Sequence, residues 1–165
     1  MVTLAPENPD CHGAAIEALY DRTFGPGHFA KTAERLREGS SSLPALSRVG
    51  LVGSELVAVC RLWPLEVGFT PSRAVFVGPV AVDPQHRGGR LGLRVTQAAL
   101  EAAAADGWST ALIIGDPGYF GEIGFHPVAP EQITLPGPQD MSRVMVRHLR
   151  PGADPLSGLV CVPRI

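Results

Sequence analysis

Hydrophobic positions along the chain alternate between strand and helix periods. Val2 to Ala5 is a short strand-like run. After Pro9-Asp10, Ala14, Ile16, Ala18, Leu19 and Tyr20 recur at roughly helical spacing, with Asp10 a candidate cap. The FGPG segment (Phe24 to Gly27) breaks that helix. His28 to Gly39 predicts a second one, with Phe29, Ala33 and Leu36 on one side and Gly39 as its stop. The runs ALSRVGLV and ELVAVCRLW flank Gly53-Ser54, which predicts a β-hairpin. PLEVGFTPS then predicts a loop or hairpin tip. Arg73 to Pro84 (RAVFVGPVAVDP) is a long apolar strand interrupted at Gly78-Pro79. Proline cannot donate to a sheet ladder, so that dipeptide predicts a bulge or a splayed strand.

From Leu91 onward, Leu91, Val95, Ala98, Ala99 and Ala102 fall at helical spacing, and the alanine-rich second half has high helix propensity. Gly107 ends this helix. Trp108 to Gly115 (WSTALIIG) reads as a buried strand, and Asp116 to Phe125 as a short helix or turn. SRVMVRHL and SGLVCVP in the tail are candidate strands that close a sheet. Without internal repeat or domain-length linker, residues 1–165 predict a single α+β domain.

Composition narrows the function classes. Glycine (19) and proline (16) are abundant, but they fall mostly between periodic segments and so punctuate a fold. Hydrophobic residues make up 45% and charged residues 18%, which argues against global disorder. A net charge of −2 argues against a nucleic-acid or anionic-membrane partner. Cys11, Cys60 and Cys161 are odd in number and form no CxxC pair, which fits a reducing, cytoplasmic setting. The five histidines form neither HxxxH nor HExxH, so no metal site is expected. The N-terminus lacks the pattern of a signal peptide, and no apolar run reaches the roughly 20 residues of a membrane span.

Candidate chemistry concentrates where the apolar strand ending at Val82 meets DPQHRGGRLG and the long helix. A glycine-rich turn feeding a helix start presents unpaired backbone N–H groups and the positive end of the helix dipole, a phosphate-type site. Arg87 and Arg90 add formal charge. Neither GxxxxGK[ST] nor GxGxxG is present. A tight glycine turn with solvent-facing arginines would share this spacing.

VAVDPQHRGGRLG followed by an amphipathic helix resembles the acyl-CoA-binding motif of the GNAT superfamily of N-acetyltransferases, [RQ]xxGx[GA] after a strand. YFGEIGF (Tyr119 to Phe125) resembles the family's YxxxGF element, and the segment around His28 to Gly39 resembles its acceptor-side helices. The resemblance implies a mixed, mostly antiparallel central sheet with a splayed strand pair and helices on both faces. It implies acetyl-CoA as co-substrate, with pantetheine running along Val80, Ala81 and Val82. The pyrophosphate would sit on N–H groups of Arg87, Gly88, Gly89, Arg90, Leu91 and Gly92, with Tyr119 and Phe120 nearby. An N–H near Val80 would polarise the thioester carbonyl, a role worth about 10²–10³ in rate per donor.

Two positions depart from the family pattern. Arg90 stands where the motif has its central glycine, and Phe120 stands where the family usually has the tyrosine that protonates the departing thiolate. The adjacent Tyr119 is then the candidate acid, if the local turn aims it correctly. Acylation needs a neutral amine, and a lysine-like amine has a pKa near 10.4, so a proton acceptor is required. The apolar strand carries no carboxylate. Glu66 and Asp116 are the candidate bases, ahead of Glu122 and His126, although a turn residue and a turn cap are the plainer readings of the first two. Trp63 and Phe69 are candidates for lining an acceptor cleft. Arg35 and Arg37 are candidates for recognising an acidic group on the acceptor, or a solvated helix face.

The function expected is acetyl transfer to an amine of a small molecule or peptide by direct attack. The alternatives are a non-catalytic acyl-CoA sensor and an acyltransferase using another acyl-CoA. A homodimer stays open.

Overall fold

A computed structural model describes residues 1–165 apart from 26–34, 69–72, 130, 154 and 164–165. Strand β1 (Thr3–Pro6) leads into helix α1 (Pro9–Phe24). Asn8, rather than Asp10, caps α1: its side chain accepts from the Asp10 N–H at 3.0 Å. Asp10 lies in the first turn, where a negative charge suits the helix dipole. The expected helix from His28 to Gly39 falls largely outside the described residues. Of its end, Arg35 is helical, residues 36–39 form a turn, and Gly39 takes a positive φ of 72°.

Strands β2 (Arg48–Val52) and β3 (Glu55–Val67) form the expected hairpin around Gly53-Ser54. β3 runs further than its sequence suggests, through Pro64 to Val67, because β4 (Ala74–Val82) pairs along its length. Helix α2 (Leu91–Ala105), β5 (Thr110–Ile114) and the short helix α3 (Pro117–Phe120) follow. The chain ends with β6 (His126–Pro127), β7 (Ile133–Thr134), β8 (Val144–His148) and β9 (Gly158–Cys161).

The main sheet has the order β1-β2-β3-β4-β5-β8-β6, and β9 and β7 branch from the far end of β3. All pairs are antiparallel except β4–β5 and β7–β9. The fold is therefore the mixed, mostly antiparallel α+β sheet that the family resemblance implied. Of the tail segment SGLVCVP, Gly158–Cys161 forms β9, which pairs antiparallel with the far end of β3 at Glu66↔Cys161 and Val67↔Val160.

Strand alternation divides the core between the two faces. On one face α2 sets Leu91, Val95, Ala99 and Ala103 against Val75, Val77 and Ile113. On the opposite face α1 packs Ile16, Leu19 and Tyr20 against Val59 and Ala81, and Leu36 joins Phe76 and Leu112. Each fully buried Val, Leu, Ile or Phe side chain among these contributes about 1.5–3 kcal/mol. Helices thus cover both faces.

Candidate active site

The site begins with a break in the sheet. β4 and β5 pair only from Ala74↔Thr110 to Val77↔Ile113. Beyond Val77 the ladder to β3 shifts, so that Gly78 and Pro79 together face Arg61, and pairing with β3 resumes at Val80↔Cys60. The Gly78–Pro79 peptide is cis, and Gly78 has φ of 130°, a value suited to glycine. Trp63 Nε1 donates to the Gly78 carbonyl at 2.6 Å. β4 therefore stays with β3 while β5 turns away at Gly115, and a gap opens between neighbouring parallel strands.

The loop after β4 is tied at its start. Asp83 accepts from the Gln85 N–H at 3.0 Å and from Arg22 Nη2 of α1 at 3.0 Å. The Gln85 N–H first, and the Arg22 guanidinium with it, hold the Asp83 carboxyl below the usual carboxylate range. The loop ends at Arg90, which occupies the left-handed region at φ 57°, ψ 26°. No side chain caps α2, so its first-turn N–H groups face the loop mouth with the helix dipole behind them. Arg90 sits where the resemblance expected a glycine, and the backbone takes the conformation that glycine favours. Its side chain ion-pairs with Glu122 at 2.9 Å.

A cavity of about 680 Å³ runs from this helix start through the gap to the opposite sheet face. Val80, Val82, Arg87, Gly88, Arg90, Leu91 and Gly92 line one part of it, and Asp116, Tyr119 and Phe120 also reach it. Ala81 points the other way, into the α1 core, and offers only backbone to this side. Gly89 is exposed and does not line the cavity. Glu66 is exposed at the other end of β3, opposite Cys161, so the structure does not bring that candidate base to the cavity.

Asp116 caps α3, accepting from the Gly118 N–H at 2.9 Å, and also lines the cavity. That turn sorts the two aromatic residues. Phe120 is buried against Gly115, where an added Cβ would stand 2.8 Å from its ring, and it meets Phe125 edge-on at 6.2 Å between centroids. Tyr119 is half-buried, and its hydroxyl lies against Gly92 in the first turn of α2. Burial raises the Tyr119 pKa above its ordinary value, with Leu93 and Arg90 opposing, so the phenol is protonated at neutral pH. The close approach that Gly92 allows is that of the Tyr119 hydroxyl, which a Cβ there would overlap.

Sequence reasoning did not place Thr23, Phe24, Phe76 or Arg143 at the cavity. Arg37, weighed above against a solvated face, is buried with its guanidinium 5.8 Å over the Phe76 ring. Arg35 instead donates to the Pro136 carbonyl at 2.9 Å. Glu122 is held by Arg90, and His126 is exposed on the edge strand β6. Phe69 lies outside the described residues. Among the described residues no cluster of His, Cys, Asp and Glu could hold a metal ion, and no helix is long and apolar enough to cross a membrane.

A family model described as "Acetyltransferase (GNAT) family" matches residues 14–126, more than half of the chain. The chain belongs to the GNAT acetyltransferase family. The matched region contains the β4 bulge, the loop, α2 and the Tyr119-Phe120 turn. Solved structures with this fold include the GNAT family N-acetyltransferase YhbS from Escherichia coli in complex with CoA. It is 25% identical, with a TM-score of 0.82, covering 98% of this chain and 89% of that one. A GNAT family acetyltransferase from Brucella melitensis in complex with acetyl-CoA is 18% identical, with a TM-score of 0.73, covering 99% and 96%. The Escherichia coli ribosomal-protein-S18-alanine N-acetyltransferase shares the fold at 14% identity and a TM-score of 0.62, covering 94% and 99%. No curated protein sequence matches the chain.

Proposed function

We propose that this GNAT acetyltransferase transfers an acetyl group from acetyl-CoA to a primary amine by direct attack. The observation that carries the reading is the gap between β4 and β5 opening onto the uncapped start of α2. The helix N–H groups, Arg87 and Arg90 suit a pyrophosphate, and the Val80–Val82 edge of β4 suits the amides of a pantetheine arm. The two relatives solved with CoA and acetyl-CoA support the same donor.

In this reading the amine reaches the thioester from the α1 face, through the gap. Its nitrogen bonds to the carbonyl carbon, the carbon–sulfur bond breaks, and the amine loses a proton. Asp116 is the carboxylate at the cavity that can take that proton, directly or through water. Backbone N–H near Val80 offsets charge developing on the carbonyl oxygen. Tyr119 gives its phenolic proton to the departing thiolate, the part the family usually assigns to the position of Phe120. A thiol pKa near 8.5 makes that acid helpful without making it indispensable.

The test is a thermal-shift titration with acetyl-CoA and CoA, followed by thiol release over a panel of amines. Binding to the native state at about 100 times Kd adds about 2.7 kcal/mol of apparent stability. A melting temperature unmoved by either ligand would sink the proposal, as would binding without release on any amine.

A further inference from the structure

The bulge in β4 sets which backbone groups face the gap. Before it, Leu62 uses its N–H on Ser47 Oγ and its carbonyl on the Leu43 N–H, so Val77 opposite Leu62 turns towards β5. After it, the Asp83 N–H donates to the Val57 carbonyl at 2.8 Å, beside the register pairs Val82↔Ala58 and Val80↔Cys60. In an antiparallel ladder a hydrogen-bonded pair points its N–H and C=O groups inward, and the residues between point theirs the other way. Val80 and Val82 therefore turn their N–H and C=O groups away from β3. The pairs between β4 and β5 have ended by then, so these groups open into the gap. Simple alternation from Val77 would have turned Val80, three residues on, into β3. The extra residue at Gly78-Pro79 reverses that parity.

One side chain holds the bulge. Gly78 and Pro79 together face Arg61, which has one backbone N–H for their two carbonyls. The second donor is Trp63 Nε1, 2.6 Å from the Gly78 carbonyl oxygen. Trp63 pairs with Phe76, so Gly78 is its diagonal neighbour, within reach of a long side chain. Gly78 is buried, and a buried carbonyl without a donor turns towards another one. Pro79 carries such a turn onward, because its ring fixes φ at about −65° and leaves little freedom to absorb it. The next backbone donor is the Val80 N–H. Trp63 itself, a sequence candidate for lining an acceptor cleft, packs against the cluster of Phe76 and Leu112 and does not line the cavity.

We infer that Trp63 is a positioning residue for the transfer: by holding the Gly78 carbonyl, its indole N–H fixes the direction of the Val80 N–H. This rests on the acetyltransferase reading, in which that N–H is aimed at the thioester carbonyl, and deepens it. A hydrogen bond weakens steeply as its donor turns off line. Removing a donor of this kind outright costs about 10²–10³ in kcat, and turning one costs less.

The experiment observes acetyl-CoA with carbon-13 at the thioester carbonyl, bound to the wild type and to Trp63→Phe. Phenylalanine keeps an aromatic ring and deletes the donor. A hydrogen bond to a carbonyl lowers its infrared stretching frequency. The expected result is a bound carbonyl band at higher frequency in Trp63→Phe, with kcat on the fastest amine of the panel lower by about 10–100-fold. The Kd of CoA, which has no acyl carbonyl, should stay within about twofold. Trp63→benzothienylalanine, with sulfur in place of the N–H, should shift the band the same way, and it serves where Trp63→Phe does not fold. Superimposable bands in wild type and variant overturn this inference and leave the acetyltransferase reading standing. A CoA affinity that falls as far as kcat makes Trp63 a support of the whole gap and also overturns it. A wild type that does not bind acetyl-CoA overturns the acetyltransferase reading and this inference with it.

Discussion

Gly92→Ala tests the link between the α2 start and the proposed acid. The new Cβ would overlap the Tyr119 hydroxyl, while its next neighbours, Tyr119 Cζ at 3.4 Å and Val82 Cγ2 at 3.5 Å, leave it room. The hydroxyl must therefore retreat by about 1 Å, and a misplacement of that size costs about 10²-fold in catalysis. Stability changes little. The displaced hydroxyl is half-buried and can stay solvated, while replacing glycine in a helix returns up to about 1 kcal/mol. Because a thiolate leaves tolerably without an acid, the expected fall in kcat is about 10–100-fold, with a similar fall for Tyr119→Phe. The decisive measurement is the double variant. Removing the hydroxyl also removes the overlap, so Gly92→Ala should be nearly silent in the Tyr119→Phe background. Thiol-release rates, acetyl-CoA affinity and melting temperature are measured on all four proteins. Independent losses that multiply in the double variant refute the reasoning, as does full turnover in Gly92→Ala.

The remaining predictions concern the scaffold. Gly115→Ala pushes a Cβ to within 2.8 Å of the Phe120 ring, and overpacking of that kind should cost about 1–3 kcal/mol, read as a melting temperature lower by several degrees. At Arg90, glycine relieves a left-handed conformation that costs other residues about 1–2 kcal/mol, so Arg90→Gly should melt above Arg90→Ala. Both variants lose the same exposed pair with Glu122, so the reverse order would contradict the backbone assignment. Asp83 has a folded pKa below its unfolded value, so its contribution is present above about pH 4 and fades as pH falls through the folded value. Asp83→Asn should therefore lower the melting temperature at neutral pH and flatten its dependence on pH below about 4. An unchanged acid slope would show that Asp83 does not anchor the loop.

Much of this architecture was legible locally. The bulge at Gly78-Pro79 follows from a proline without a donor inside an apolar strand, and the start of α2 follows from glycines before a helical stripe. Family resemblance added the order of the motifs and, through it, the sheet. Local signals failed at Pro64 to Val67, whose strand depends on pairing with β4, and at Asp10, which lost the cap to Asn8.

The chain by itself determined the elements around the loop and which residue types stand at positions 90, 119 and 120, because adjacent residues set those features. Tertiary structure decided what they do. The turn at Asp116 buries Phe120 against Gly115 and swings the Tyr119 hydroxyl against Gly92, a choice no spacing rule encodes. It also brings Thr23, Arg37 and Arg143 to one cavity from the end of α1, the turn that closes at Gly39, and the approach to β8. No local pattern marks such a meeting, because it exists only once the two faces of the sheet are packed and the gap between β4 and β5 joins them.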